Sequence, residues 1–145
     1  MKYNFPAESD FDLDQLFLTT ERFKEYSYSP YSKFRVACSI IATLQTKEKI
    51  LVMGANVENA SYGLTICAER VALVELNQYK PEKIDLIVLA ADGDGDTYPC
   101  GACRQFISEF AAGTTPVYVG ANGKRNSKPQ FVNDLLPNGF NLKKH

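Results

Sequence analysis

The segment from Ile84 to Ala91 limits the possible folds of this chain more than any other. Its longest apolar run, Leu86 to Ala91, is far short of the ~20 residues that cross a bilayer. A continuous apolar stretch of this length belongs instead to a strand buried on both faces. Such a strand needs helices to cover it, and the flanking sequence supplies them. Upstream, Cys67 to Tyr79 is rich in helix formers (Ala68, Glu69, Arg70, Ala72, Leu73, Glu75, Leu76), with Thr65 placed to cap them. Downstream, a second helix is expected from Gly101 to Ala111, and Val117-Tyr118-Val119 reads as a further strand. Strands alternating with helices predict an α/β sheet with helices on its faces.

The remaining elements fit the same plan. Asp10 is placed to cap a first helix with apolar positions Leu13, Leu16, Thr20 and Phe23, ending before Ser29-Pro30. From Phe34 the positions Phe34, Val36, Cys38 and Ile40 alternate with Arg35, Ala37, Ser39 and Ile41, the pattern of a strand. The polar turn Thr46 to Lys49 joins it to Ile50-Leu51-Val52-Met53 as a hairpin, and Phe131 to Leu136 predicts a short last helix. No repeat or linker divides the chain, so residues 1–145 read as one domain, with 1–9 as an N-terminal extension. A domain of this size can bury a core without disulfides or a structural metal.

Sixteen basic and seventeen acidic residues give a net charge of -1 with no long block of either sign, which disfavours nucleic-acid partners. The N-terminus lacks the apolar stretch of a secretion signal, and no run could span a membrane, so a cytoplasmic protein is expected. In that compartment thiols stay reduced. The four cysteines therefore read as metal ligands, catalytic groups or small buried hydrophobes.

Three of them fall at predicted helix starts: Cys67, and the pair in Pro99-Cys100-Gly101-Ala102-Cys103. The free N–H groups and partial positive charge of a helix N-terminus lower a thiol pKa and favour the thiolate a metal needs. Cys-x-x-Cys spacing brings two sulfurs to one tetrahedral ion, and Cys67 offers a third ligand. Three protein ligands leave a fourth position for water, the mark of a catalytic zinc site. Cys38 shares a strand face with apolar residues and is expected in the core. His145, the only histidine, ends a polar tail and is a poor candidate for base or ligand.

Glu69 lies two residues after Cys67, within reach of the open side of such a metal. A Cys or His followed by x-Glu and a downstream Pro-Cys-x-x-Cys is the arrangement of zinc deaminases, in which the Glu shuttles protons and does not bind zinc. Zinc with three thiolates has a net charge of -1, so positive groups are needed nearby. Arg70 and Arg104, next to the ligand motifs, are expected to donate hydrogen bonds to the sulfurs.

Taken together, these stretches resemble the small, homotetrameric cytidine deaminases. The resemblance rests on Tyr28-Ser29-Pro30-Tyr31-Ser32-Lys33-Phe34, Asn56-Val57-Glu58-Asn59-Ala60-Ser61-Tyr62, Cys67-Ala68-Glu69-Arg70, Pro99-Cys100-Gly101-Ala102-Cys103-Arg104-Gln105, and Leu135-Leu136-Pro137 with Phe140. It implies a three-layer α/β/α sandwich with a mixed sheet of about five strands and one Zn²⁺ per subunit. It also implies hydrolysis of cytidine and 2′-deoxycytidine to the uracil nucleosides and ammonia, in pyrimidine salvage. By the same resemblance Asn56 and Glu58 hold the ribose hydroxyls, Phe34, Ala68 and Tyr98 contact the nucleoside, and Phe140 stacks on the base from a neighbouring subunit.

Three positions depart from the family pattern: Val36-Ala37-Cys38 stands where a glycine and small residues are usual, the hairpin turn lacks Asp-Gly, and Tyr98 replaces Ser or Thr before Pro99. Tyr98 bears on pocket size.

Other readings compete. The substrate could be another aminopyrimidine, such as blasticidin S. A structural zinc module would need Cys38 as fourth ligand, and a dithiol redox protein would use Cys100 and Cys103 but leave Cys67 and Glu69 without a role. Asp92 to Asp96 is a turn and not a calcium loop, because Thr97 and Cys103 occupy the positions where that loop needs Gly and Glu.

Overall fold

The computed structural model describes residues 3–5 and 12–142. In chain order the elements are β1 (Tyr3–Phe5), α1 (Leu13–Phe23), β2 (Val36–Thr43), β3 (Lys49–Ala55), α2 (Ala68–Asn77), β4 (Lys83–Ala91), α3 (Gly101–Phe110), β5 (Pro116–Ala121), β6 (Lys124–Arg125), β7 (Gln130–Phe131) and α4 (Val132–Leu135). The strands form one sheet in the order β1-β3-β2-β4-β5-β6, with β7 pairing β5. Among the described strands, only β4 and β5 pair in parallel. The sheet is thus mixed: β2 to β5 form its body, and three strands of two or three residues extend it.

Both sheet faces are covered, as expected for a strand like β4. On one face Leu16 and Phe17 of α1 pack on Ile41, Leu51, Met53, Leu86, Val88 and Ala90. On the other, Ala68, Ala72, Leu73 and Leu76 of α2 and Ile107 of α3 pack on Cys38, Ile40, Val52, Ile87, Leu89, Val117 and Val119. The layers are α/β/α. Alternate residues of β2 enter opposite cores because side chains alternate across a strand.

Several boundaries differ from the sequence reading. Asp12, not Asp10, caps α1, its Oδ1 accepting from the backbone N of Asp14 (3.0 Å) and Gln15 (3.3 Å). Asp10 lies outside the described residues; the helix starts at Leu13, and a cap must immediately precede it. Thr65 does not cap α2 but ends a 3₁₀ turn, and Cys67 itself is the N-cap. The hairpin turn without Asp-Gly puts Lys47 at φ 72°. Within the expected extension, Tyr3–Phe5 pairs antiparallel with Lys49–Leu51 and covers the open edge of β3.

The topology decides where chemistry can occur. Because β2 is antiparallel to both β3 and β4, those two strands run in the same direction. Helix α2 follows β3 and α3 follows β4, so both begin beyond the carboxyl ends of their strands. In open α/β sheets this is where ligands bind. Gly54 brings α2 down onto the sheet: a Cβ there would stand 2.5 Å from Ala72 N and 2.8 Å from Ala68 O.

Candidate active site

Cys67 and Cys100 are the N-caps of α2 and α3, and Cys103 is in the first turn of α3. Their three Sγ atoms lie within 4.8 Å of one another, with Cys67 and Cys100 at 3.9 Å. A tetrahedral ion with bonds of about 2.3 Å to sulfur needs sulfurs about 3.8 Å apart, so the triangle fits a zinc ion after a small closure. All four cysteines are free.

The electrostatics favour thiolate at Cys67. Cys67 is pushed down to about 5, first by the hydrogen bond from the Cys103 thiol and then by Arg70 and Cys100. Cys103 is correspondingly pushed up, as the donor to Cys67 in a buried place. Arg70 Nη2 reaches Cys67 Sγ at 3.6 Å and Thr65 O at 3.4 Å, while its buried Nε has no partner among the described residues. A guanidinium with an uncommitted buried N–H beside three sulfurs suits an anionic metal cluster. Arg104 is arranged differently: Nε donates to Pro99 O (2.7 Å) and Nη1 to Leu135 O (2.8 Å). Its hydrogen bonds secure the backbone before Cys100 and the end of α4, in place of the sulfur contacts expected from the sequence.

Glu69 is 5% exposed in the first turn of α2. Burial raises its pKa above the ordinary carboxylate value, as does the neighbouring Cys67, with Cys103 and Arg70 opposing. Its charge is also felt by Cys38 in the core below, whose thiol is held well above 9.0, mainly by burial. Cys38 is not part of the sulfur triangle, and a fully buried protonated thiol is a poor ligand.

Asn56 is buried and its amide orientation is fixed: Oδ1 accepts from Ser27 Oγ (2.5 Å) and Val36 N (2.9 Å), while Nδ2 donates to Phe34 O (3.0 Å). One N–H remains to donate to a ligand. Glu58 Oε1 accepts from the backbone N of Tyr31 and Ser32; the Ser32 hydroxyl first, and these two backbone bonds after it, hold its carboxyl below the usual value. The two side chains thus also hold the loop that leads to Phe34. A hollow of about 380 Å³ lined by Tyr31, Ser32, Glu58, Asn59, Tyr62 and Thr65 opens beside Glu58. A comparable hollow around Leu76, Lys80 and Phe110 lies at the opposite ends of α2 and α3 from their cysteines.

Ala68 is buried at the first position of α2, and Phe34 and Tyr98 are exposed on loops preceding β2 and α3. Phe140 is 69% exposed, its carbonyl accepting from Gln105 Nε2 at 3.0 Å, so its ring faces outward from this chain. The sequence reading did not single out Ser27 or Gly54, and it took Asp92 only as the start of a turn. Gly54 alone had a local signal, because a glycine inside a strand often marks a close backbone approach.

Three convergent sulfurs and a buried carboxyl at the carboxyl ends of the central strands define a metal-dependent α/β enzyme domain, not a zinc module closed by four ligands. Comparison with known proteins makes this specific. The family described as "Cytidine and deoxycytidylate deaminase zinc-binding region" matches residues 12–129, and the chain belongs to that family. A cytidine deaminase of Sporosarcina psychrophila is 36% identical over 129 residues, covering 89% of this chain and 91% of the relative. One from Halalkalibacterium halodurans is 41% identical over 117 residues, covering 81% and 85%. Among solved structures, the cytidine deaminase of Burkholderia pseudomallei superposes with TM-score 0.79 at 32% identity, covering 90% of this chain and 100% of that one. No helix among the described residues is long and apolar enough to cross a membrane.

Proposed function

We propose that this protein deaminates cytidine and 2′-deoxycytidine hydrolytically, forming the uracil nucleosides and ammonia. The observation that carries the reading is the buried Glu69 carboxyl beside the Cys67, Cys100 and Cys103 triangle. The relatives named cytidine deaminase support the substrate.

Cys67, Cys100 and Cys103 would hold one zinc per subunit, and the ion when bound supplies a Lewis acid that makes a water nucleophilic near neutral pH. Glu69 accepts a proton from the attacking water and passes it to ring N3. It then carries a second proton to the amino group leaving C4, a role suited to a carboxyl whose burial favours holding a proton. The free N–H of Asn56 and the second oxygen of Glu58 offer a donor and an acceptor to a ribose hydroxyl. Arg70 offsets the thiolate charge. Phe34, the backbone at Ala68 and the Tyr98 carbonyl contact the nucleoside. The outward ring of Phe140 stacks on the base in an adjacent subunit of a homotetramer, and the enzyme works in cytoplasmic pyrimidine salvage.

The test is the ultraviolet absorbance change of cytidine with zinc-loaded protein, beside a chelator-treated sample and Glu69→Gln. Expected are zinc-dependent conversion and, for Glu69→Gln, retained zinc with turnover reduced about 10²- to 10⁴-fold. Failure of folded, zinc-loaded protein to convert cytidine refutes the substrate; near wild-type turnover by Glu69→Gln refutes the role of Glu69. Competition between cytidine and blasticidin S ranks the alternative substrate.

A further inference from the structure

Phe34 stands on a loop, yet its surroundings are tightly specified. Its backbone N donates to Ser32 Oγ (3.0 Å) and its carbonyl accepts from Asn56. The next residue, Arg35, is bound to Asp92 by four hydrogen bonds. Asp92 N donates to Arg35 O (2.9 Å); Arg35 N (3.0 Å) and Nε (2.9 Å) donate to Asp92 Oδ2, and Arg35 Nη2 to Oδ1 (3.2 Å). Asp92 is itself held from below by the buried Lys24, whose Nζ lies 3.1 Å from Oδ1 and 3.3 Å from Glu21. Beyond Asp92, Gly93 has φ 115°, and Phe34 Cε2 is 3.6 Å from where a Cβ on Gly93 would be. The ring therefore stands beside the residue next to the carboxylate that grips its own neighbour.

We propose that Asp92 is a positioning residue for the nucleoside: by gripping Arg35 through both backbone and guanidinium, it sets where the Phe34 ring stands. What the ring touches rests on the proposed function; what seats the ring rests on geometry alone. Asp92 directly follows β4 and Arg35 directly precedes β2, so the grip fastens the Phe34 loop to the rigid centre of the sheet. From the same residue the chain leads on through a loop to Tyr98 and Cys100. A purely architectural salt bridge would change stability without moving one aromatic ring.

Two readouts separate these roles, in Asp92→Asn and, should that variant fold poorly, in Arg35→Ala, which leaves the Lys24–Asp92 pair intact. In protein labelled with ¹³C-phenylalanine, the Phe34 ring signal is assigned by its loss in Phe34→Leu. It should shift in either variant while most of the other eight phenylalanines stay in place. With cytidine as substrate, KM should rise about 3- to 10-fold, the range of a displaced aromatic contact, with kcat within about 2-fold and zinc content unchanged. In a Phe34→Leu background the same substitution should leave KM unchanged, because coupled residues are not additive. A Phe34 signal at its wild-type position, or an equal rise in KM with and without Phe34, overturns the proposal. If wild-type protein does not convert cytidine, the functional reading fails and the ring signal still decides this one.

Discussion

Gly54→Ala tests whether one backbone approach places the metal cluster. The added Cβ would stand 2.5 Å from Ala72 N, 2.8 Å from Ala68 O and 2.9 Å from Val71 Cβ, whereas ordinary contact begins at 3.4 Å. The two nearest atoms are helix backbone, so no side chain can rotate away and α2 must recede by about 0.9 Å as a unit. Overpacking of this kind costs roughly 1–3 kcal/mol, and rigid obstacles favour the upper end. At about 2–4 °C per kcal/mol for a domain near this size, Tm should fall by about 6–12 °C. The same displacement moves Cys67 and Glu69, at the start of α2, against the two cysteines of α3. Zinc affinity should fall about 10- to 100-fold, as when the support of a metal ligand is disturbed. Circular-dichroism melts and competition with a chromogenic chelator measure both effects. Gly95→Ala is the control: nothing lies within 4 Å of its Cβ position, so a change within about 0.5 kcal/mol is expected. A Gly54→Ala protein with wild-type melting and zinc affinity would refute the reasoning.

Cys38→Ser should remain folded and zinc-loaded, with a stability loss of about 1–2 kcal/mol for a hydroxyl in an apolar core; loss of zinc would restore Cys38 as a fourth ligand. In zinc-loaded protein a thiol reagent should find Cys67 and Cys100 protected, and chelation should make these two reactive, with the buried Cys103 slower and Cys38 reacting only on unfolding; unchanged reactivity after chelation would count against a metal held by these sulfurs. The hydrogen bonds from Arg35, with Lys24 assisting, hold the Asp92 carboxyl near 2, below its usual 3.8. A depressed carboxyl stabilises the fold fully above 3.8 and loses that contribution as pH falls toward 2, so stability should rise with pH across this window. Allowing for the solvent-exposed Arg35, the contribution is roughly 1–2 kcal/mol. Urea midpoints between pH 2 and 5 should therefore depend less on pH in Asp92→Asn than in wild type, and parallel curves would contradict the assignment.

The sequence made the helix starts legible because a helix N-terminus and a Cys-x-x-Cys spacing are local properties. The expected pairing of Cys67 with Cys100 and Cys103 agrees with the sulfur triangle. The placement of Cys38 in the core followed from strand parity alone. Arg104 shows the limit of adjacency: it follows Cys103, but its guanidinium lies nearer the carbonyls of Pro99 and Leu135, and those contacts depend on where α4 packs. Likewise Thr65 is a good helix cap by composition, but the chain turns at Tyr62–Leu64 and brings Cys67 to the helix start instead.

By itself, the sequence determined the main helices α1 to α3 and strands β2 to β5, the burial of β4 on both faces and of Cys38, and the cysteines at the helix starts, because periodicity and spacing depend on neighbours a few residues apart. Tertiary structure alone decided that three sulfurs separated by up to 36 positions lie within 4.8 Å of one another. It also decided that Asp92 grips Arg35 from 57 residues away and that Gly54 admits α2 to the sheet. These distances follow from strand register and helix packing, which minimise voids and unpaired polar groups over the whole molecule at once.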